Sequence, residues 1–393
     1  MPQPTDPLHP INYEKTTQNP IEVFSDLPDP RGDRNQKHKL MDIFTISISA
    51  ILSGADSWEK VASFANKKEE WLRTFLELPN GIPSHDTFNR VFRFIDPEEF
   101  EKRFVKWTQL IADVLPGEVI AIDGKTLRGS YDNADGRAAI HCVSAFASEN
   151  QLILGQLITE EKSNEITTIP LLLDTLAISG CLVTIDAMGC QKAIAEKIIN
   201  SNAHYLLALK GNQQSLADEV ENFFKQAEAV NFDGVDHSFY KFEETNRGRK
   251  ETREIWISDD VNWLPMIDKW KGLCSIMMIK TQRIIKGKME TDTRYYICSL
   301  PANSSLLKYV ARKHWSIENT CHWVLDVTYQ EDKSRIRKDY GAENFSRLRR
   351  LTLNMLKQDK TNKGSIATKR FEAALDDKYR EALLRAGCKA VLD

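Results

Sequence analysis

The stretch that decides the fold is "GEVIAIDGKTLRGS", residues 117–130. Its apolar run, 119–122, has the length and composition of a buried strand and leads directly into an aspartate, Asp123. A second apolar run, "CLVTIDA" (181–187), reaches Asp186 in the same way. Both carboxylates are therefore predicted at the carboxyl ends of strands, where open α/β sheets place their binding sites.

The pattern around these two runs predicts an α/β fold. Two further β-rich runs, 139–146 and 152–158, follow the first aspartate, and together they predict three consecutive antiparallel strands. Helix and strand patterns then alternate, at 165–179, 181–187, 190–202 and 204–210. The order βββ-α-β-α-β predicts a mixed sheet with helices on its faces, and it is the order of the ribonuclease H-like fold.

The flanking regions predict further units. Residues 1–22 show no periodicity and are predicted to be a disordered lead-in. Residues 23–116 carry helical patterns and predict an all-helical N-terminal domain. Within the α/β domain, 117–356, strand-like runs predict a β-rich insertion at about 230–300. Residues 357–393 are predicted to be a basic helical tail.

The composition is that of an ordinary globular protein, with 41% hydrophobic and 28% charged residues in a chain of 393. No apolar run approaches the roughly 20 residues of a membrane span. The opening "MPQPTDPLHP" lacks a secretory pattern, so we expect a cytoplasmic protein with no membrane partner. Seven scattered cysteines without CxxC pairs argue against both a disulfide framework and a thiolate zinc site.

Charge is distributed unevenly along the chain. Between residues 333 and 370, twelve Lys or Arg residues stand against three Asp or Glu residues. This local charge of +9 leaves −12 for the rest of a chain whose total is −3. A basic block on an acidic protein indicates an anionic partner, with nucleic acid the first candidate. The alternative, a solvated helix face, stays open on charge alone.

If the two strands that lead into Asp123 and Asp186 are neighbours, their carboxylates meet at one sheet edge and repel each other unless a cation neutralises them. Asp123 and Asp186 would then suit a hard divalent cation that prefers oxygen ligands, Mg²⁺ or Mn²⁺. The alternative is that each aspartate only caps a turn or the helix that follows it. Both interpretations are open at this point.

A third carboxylate, Glu318, lies in "RKHWSIENTCHWVLD" (312–326). On a helix, Glu318 borders an apolar stripe and can face the two aspartates along the edge of the core. The predicted stripe consists of Val310, Ile317, Cys321 and Val324. Glu318 also shares a column at i+4 spacing with His314, His322 and Asp326. Two alternatives stay open. Glu318 pairs with a neighbouring cation on an exposed helix, or the two histidines bind zinc without the usual HExxH spacing.

Several Lys and Arg residues lie at positions that are suited to binding phosphate oxygens. Two follow the first aspartate, one ends a strand in "LKGNQ" (209–213), two lie in the basic turn "NRGRKETR" (246–253), and the others belong to the basic block. The predicted phosphate contacts are Lys125, Arg128, Lys210, Arg249, Arg253, Arg335, Arg337, Arg349 and Arg350.

Taken together, "AIDGKTLRGS", "TIDAMGCQ", "LKGNQQSL", "GRKETR", "HWSIENTCHWVLDVTYQED" and "ENFSRLRRLTLNMLK" resemble the motifs of one family. That family is the H-repeat-associated, ISAs-type transposases of bacterial insertion sequences, which belong to the DDE transposases. The resemblance runs from about residue 24 to about residue 357. Several ordered motifs over most of the chain make it far more specific than any single motif.

The resemblance implies a ribonuclease H-like core in which Asp123, Asp186 and Glu318 are the catalytic and metal-binding residues. It implies two Mg²⁺ ions, for which Mn²⁺ can substitute, and metal-dependent cleavage and strand transfer at the ends of a mobile element. The implied partners are double-stranded DNA, as terminal inverted repeats and target, and a second copy of the chain on that DNA. The helical N-terminal domain and the basic block would hold the DNA, in a protein associated with the bacterial nucleoid.

Two departures from the family pattern stand out. Related transposases often carry a Tyr-Arg-Glu-Lys signature around the last glutamate, and here its other positions hold Ala311, His314 and Leu325. Arg247 replaces a usual histidine in the basic turn. Two other functions therefore stay open: a DNA-binding relative that no longer transposes, and a structure-selective nuclease on the same core.

Overall fold

The computed structural model describes residues 19–32, 36–131, 136, 138–159, 164–246, 249–285, 288–314 and 316–385. Most of the predicted lead-in, 1–22, lies outside these residues, as do Arg247 and the side chains of Arg249, Ala311 and His314. Within the described part of the chain, no helix is both long and apolar enough to cross a membrane.

A nine-stranded mixed sheet forms the centre of the described structure. Its strands are β1 (Val119–Thr126), β2 (His141–Ala147), β3 (Leu152–Thr159), β4 (Leu182–Ile185), β5 (His204–Leu209), β6 (Ser238–Asn246), β7 (Arg249–Ser258), β8 (Ser275–Ile285) and β9 (Lys288–Cys298). Their spatial order is β3-β2-β1-β4-β5-β9-β8-β7-β6. The first three strands form an antiparallel meander, while β1, β4 and β5 are parallel. The predicted ribonuclease H-like core is confirmed.

The β-rich insertion continues this sheet. Strand β9 pairs antiparallel with β5, with Leu206 opposite Cys298, and β8, β7 and β6 follow outward as antiparallel neighbours. The sequence predicted the insertion but not its attachment to the core sheet. As a result, β9 lies two strands from the strand that precedes Asp186.

Helices surround the sheet. They are α1 (Pro20–Val23), α2 (Leu40–Leu52), α3 (Trp58–Lys67), α4 (Glu69–Leu72), α5 (His85–Phe94), α6 (Pro97–Ile111), α7 (Glu165–Thr175), α8 (Lys192–Asn200), α9 (Gln214–Ala229), α10 (Leu307–His314), α11 (Trp323–Val327), α12 (Gly341–Gln358), α13 (Ile366–Leu375) and α14 (Asp377–Arg385). Side-chain caps begin α3, α5 and α6, at Ser57, Ser84 and Asp96 respectively. Each cap satisfies a backbone N–H that the first helical turn leaves without a partner.

The N-terminal helices share one core with α12. Helix α2 is buried along almost its whole length and packs against α12 and α13. Asn344 donates 2.9 Å hydrogen bonds to two carbonyls at the end of α5, and Asn354 exchanges hydrogen bonds with Ile153 of β3. Helices predicted as an N-terminal domain and a tail therefore meet in one layer beside the sheet, and the domain boundaries at 116 and 356 stay predictions.

Side chains alternate between the two faces of the sheet. On one face, Ile120, Val183 and Leu207 belong to a core with α7, α8 and α9. On the opposite face, Val119, Leu182 and Leu206 pack with residues of α10. We call this second side the α10 face, and the candidate site lies on it.

Candidate active site

The parallel pairing of β1 and β4 brings two aspartates to the same level. Its last matched pair is Ile122 with Ile185, and these two residues are followed along the chain by Asp123 and Asp186 respectively. By alternation, both point to the α10 face. Strand β1 does not end at residue 122 as predicted, because its pairing with β2 continues to Thr126. Asp123 therefore lies within a strand, whereas Asp186 directly follows one.

Asp123 is a carboxylate without full charge compensation. Burial raises its pKa to about 7, helped by the nearby carboxylates of Asp186, Glu318 and Glu165, while the Gly124 N–H opposes the shift by donating a 2.9 Å hydrogen bond. Asp186 instead accepts hydrogen bonds from Met188 and Gly189, 3.0 and 3.4 Å long. Bringing a cation to this pair would remove the cost of the buried negative charge.

Glu318 opens a turn of π-helix that runs to His322, between α10 and α11. The apolar stripe predicted for this segment is confirmed, since Val310, Ile317 and Cys321 are buried. The π-turn adds a residue to this helical segment, yet three members of the predicted column, Glu318, His322 and Asp326, still meet the same face of β1. Glu318 lines a cavity together with Asp123, and Nδ1 of His322 also lies 3.4 Å from that aspartate. Asp326 pairs with Lys125, two residues further along β1.

The carboxylates of Asp123, Asp186 and Glu318 line one cavity of about 280 Å³. It is lined by Asp123, Asp186, Ala187, Ala208, Leu209, Lys210, Asp292, Thr293, Arg294, Tyr295, Tyr296, Ile317 and Glu318. Lys210 is the one predicted phosphate contact among these residues. Asp292 and Arg294 were missed, because their place depends on how β9 joins the core sheet. We call this cavity the cleft.

Further polar side chains lie around Asp123 and Gly124, and of these the sequence singled out His322 but not His141 or Glu165. The Nδ1 atom of His322 lies 3.4 Å from Oδ2 of Asp123, and burial lowers the pKa of this imidazole to about 3, so it is neutral. His141 and Glu165 form a buried pair behind Gly124. A Cβ at Gly124 would collide with both members of that pair, so the close approach requires glycine there.

Lys125 is not placed to contact DNA, which corrects the prediction. Its side chain is 7% exposed, and its Nζ lies 2.7 Å from Asp326, 3.0 Å from Asp332 and 3.7 Å from Glu331. The alternation that points Asp123 toward the α10 face does the same for Lys125, where Asp326 of α11 and the two acids after that helix meet it. The lysine therefore joins β1 to the segment that follows the Glu318 turn.

Arg349 and Arg350 are also corrected as DNA contacts, since both side chains lie inside the protein at 1% and 0% exposure. Arg350 donates a 2.8 Å hydrogen bond to buried Glu331, and Arg349 stacks on Phe345 at 4.3 Å. Helix α12 is covered by other helices on one side and by β3 on the other. Its arginines consequently face protein partners.

The remaining predicted cations have mixed surroundings. The Arg128 side chain is 83% exposed, and Arg335 and Lys210 are exposed as well. Arg337 stacks on Tyr131 at 4.4 Å and donates a 3.0 Å hydrogen bond to the Gly129 carbonyl. Arg253 pairs with Glu251. Arg249 begins β7, and its side chain is outside the described residues.

The donor set in the cleft fits a divalent metal ion in chemistry and in charge. Three carboxylates supply the oxygen ligands that Mg²⁺ and Mn²⁺ prefer, and the raised pKa of Asp123 marks charge that a cation would compensate. As they stand, no three His, Cys, Asp or Glu side chains of the described residues lie close enough together to hold one ion. Ligation by all three carboxylates therefore requires side-chain movement, for which exposed Glu318 has room.

Comparison with known proteins agrees with this architecture. The model of the "Transposase DDE domain" family matches residues 115–355, and that of the "DDE_Tnp_1-associated" family matches residues 21–108. Among solved structures, a piggyBac transposase synaptic complex with hairpin DNA matches 95% of this chain and 78% of its own, at 12% identity and a TM-score of 0.42. That likeness is too distant to add to the assignment.

Two relatives from Escherichia coli are far more similar. "Putative transposase YncI" of strain O157:H7 is 42% identical over 94% of this chain and 95% of its own length. "H repeat-associated putative transposase YhhI" of strain K12 is 40% identical over 93% of this chain and 97% of its own length. With a family model over more than half of the chain and near-complete relatives at this identity, the chain belongs to the DDE transposases.

Proposed function

We propose that Asp123, Asp186 and Glu318 are the catalytic triad of this insertion-sequence transposase, which cleaves DNA at the ends of its element and joins the ends to a target. One observation carries the proposal. Two aspartates lie at the same level beside each other, one within β1 and one directly after its parallel neighbour β4, and they line one cleft with a glutamate from the facing helical segment. Neither a turn cap nor a surface ion pair accounts for all three positions.

In this proposal the triad holds two Mg²⁺ ions, for which Mn²⁺ can substitute. The ions would supply the charge stabilisation that an in-line displacement at a DNA phosphate requires, for water and later for a DNA 3′-hydroxyl. The chain's own part is positional. Strands β1 and β4 fix two carboxylates, and the π-turn presents the third from across the cleft.

Cations outside the triad would hold the DNA backbone. Arg128, Lys210 and Arg335 are exposed and available to phosphates. Arg249, Arg253 and Arg337 belong to the same proposal, with Arg253 and Arg337 changing their present partners on binding. The helical N-terminal layer would read the terminal inverted repeats, and two copies would hold two ends together, in a protein that works at the bacterial nucleoid.

The test uses duplexes that carry the terminal inverted repeats flanking the gene. Asp123→Asn, Asp186→Asn and Glu318→Gln should each lower Mg²⁺-dependent cleavage at least ~1,000-fold while duplex binding changes little. Asp233→Asn, an exposed carboxylate outside the cleft, is the matched control and should cleave like the unmodified protein. Cleavage at the unmodified rate by any triad variant removes that residue from the triad.

The same duplexes separate the alternatives. Binding without nicking by the unmodified protein in Mn²⁺ would favour a DNA-binding relative that no longer transposes. Cutting of flaps or junctions with no need for the inverted repeats would favour a structure-selective nuclease. Cleavage confined to the ends of the repeats, followed by joining to a second duplex, is the result expected of a transposase.

A further inference from the structure

The register of the sheet places two cations beside the two aspartates. Asp186 is level with Ala208 of β5, which pairs with Tyr296 of β9. Two residues further along in the same direction stand Lys210 and Arg294, opposite each other just past the last matched pair of β5 and β9. By alternation, the aspartates and both cations share the α10 face.

The spacings of a sheet convert this register into distances. Neighbouring strands are about 4.8 Å apart, and two residues along a strand span about 6.6 Å. The backbone of Arg294 therefore lies on the order of 10 Å or more from that of Asp186, a gap that the long guanidinium side chain can largely cross. This reach fits a phosphate next to the reacting one, held while the triad works on its neighbour.

The carboxylates that line the cleft would repel an anionic substrate, so its binding requires the positive charges of these two cations. Four carboxylates line it, those of Asp123, Asp186, Asp292 and Glu318. Among the described residues that line the cleft, Lys210 and Arg294 are the cations. DNA that enters an acidic cleft needs fixed positive groups beside the path of its backbone.

Arg294 is already held in position. Its Nε donates a 2.7 Å hydrogen bond to Oδ2 of Asp292, two residues away on the same face, and it also interacts with the Tyr296 hydroxyl. Its side chain is 33% exposed and that of Asp292 is 47% exposed. An arginine held at the wall of a cleft beside an exposed carboxylate can accept a phosphate in place of that carboxylate with little loss of side-chain entropy.

We infer that Arg294 is a substrate-binding residue of the cleft, where it and Lys210 hold a non-reacting DNA phosphate next to the one that is cleaved. The inference rests on the proposed function. It gives the β-rich insertion a direct part in the reaction, because β9 supplies one wall of the active site and the group that aligns the DNA strand in it.

The experiment measures single-turnover cleavage of the same inverted-repeat duplexes by Arg294→Ala and Arg294→Lys. We expect a loss of about 10- to 100-fold for the alanine variant and a smaller loss for the lysine variant, which keeps a point charge but not the fork. The matched control is Arg283→Ala. Arg283 also lies in the insertion, is 36% exposed and pairs with Glu251, but it lies outside the cleft.

A second arm distinguishes contact with DNA from damage to the fold. Single methylphosphonates, which remove one phosphate charge, are placed one at a time around the cleavage point. The unmodified protein should lose rate at one flanking position where Arg294→Ala shows no further loss. Equal sensitivity of both proteins at every position, or cleavage by Arg294→Ala at the rate of Arg283→Ala, would overturn the inference. Absence of cleavage by the unmodified protein would count against the proposed function itself.

Discussion

The arginines of α12 and the cations of the cleft differ in what neutralises them. Arg347 and Arg350 are 2% and 0% exposed, and their partners are buried glutamates, Glu101 and Glu331. In the cleft, Lys210 is exposed, and Arg294 is 33% exposed beside a carboxylate that is more exposed than itself. The first pair of cations is neutralised by buried carboxylates of the fold, whereas the second can exchange its partners for DNA.

This contrast shows how a charge count along a sequence should be interpreted. Of the twelve cations between residues 333 and 370, five are buried, and these are Arg347, Arg349, Arg350, Lys369 and Arg370. Buried cations join elements of the helical layer, as Arg347 does with Glu101 of α6, and are not available to a DNA-binding surface. The exposed part of the block begins in the loop before α12, where Lys333, Arg335 and Lys338 lie.

The largest expected effect comes from breaking an internal pair. Arg350→Met would leave the Glu331 carboxylate buried without its main hydrogen-bond donor, and we expect a loss of about 3–5 kcal/mol in the free energy of unfolding, measured in urea. Lys338→Met, at an exposed cation in the same basic block, should stay within about 0.5 kcal/mol. Equal stability of the two variants would contradict the distinction between internal and available cations.

Lys125 tests the distinction beside the active site itself. Lys125→Met should cost about 2–4 kcal/mol, because it leaves three neighbouring carboxylates without their shared cation. The slope of log affinity for duplex DNA against log salt should not change in the folded variant, because this lysine contacts no phosphate. A slope that is less steep by about 1 in the variant would show that Lys125 does contact a DNA phosphate.

A substitution at Gly124 tests how much the packing of side chains behind β1 contributes to the stability and activity of the cleft. Gly124→Ala must displace the His141–Glu165 pair, and we expect a cost of about 1–3 kcal/mol together with slower cleavage. Gly32→Ala is the control, since no atom of the described residues lies within 4 Å of the added methyl group and the φ of Gly32 is not left-handed. Unchanged stability and rate in Gly124→Ala would show that the pair behind β1 moves freely.

The smallest effect on stability is expected at the exposed cations. Arg335→Ala should change the free energy of unfolding by less than about 0.5 kcal/mol. It should nevertheless make the slope of log affinity for duplex DNA against log salt less steep by about 1, as the loss of one phosphate contact does. Lys125→Met is thus expected to change stability but not the salt dependence of DNA binding, and Arg335→Ala the opposite. The reverse result would make Lys125 the DNA contact and Arg335 the internal cation.

Much of the core could be predicted from sequence because its signals are local. Apolar runs of strand length predicted the succession of β1 to β5 along the chain. Two of these runs lead into Asp123 and Asp186, which the parallel pairing of β1 and β4 then brings level. The stripe of Val310, Ile317 and Cys321 likewise identified the buried side of the segment that carries Glu318.

The remaining features depend on contacts between distant parts of the chain. Whether an arginine in an amphipathic helix is exposed depends on what covers α12, and Glu101 and Glu331 stand far from it in sequence. The place of Arg294 depends on the pairing of β9 with β5. The π-turn at Glu318 shifts the helical register by one residue, and the residue pattern gave no sign of it.

The proposed function depends above all on Asp123, Asp186 and Glu318 forming one metal-binding site. The most direct measurement is anomalous diffraction from crystals of the protein bound to an inverted-repeat duplex and soaked in Mn²⁺. We expect Mn²⁺ peaks in the cleft in contact with all three carboxylates, and their loss in Asp186→Asn. Mn²⁺ bound elsewhere, or bound in the cleft without contact to these carboxylates, would contradict the proposal.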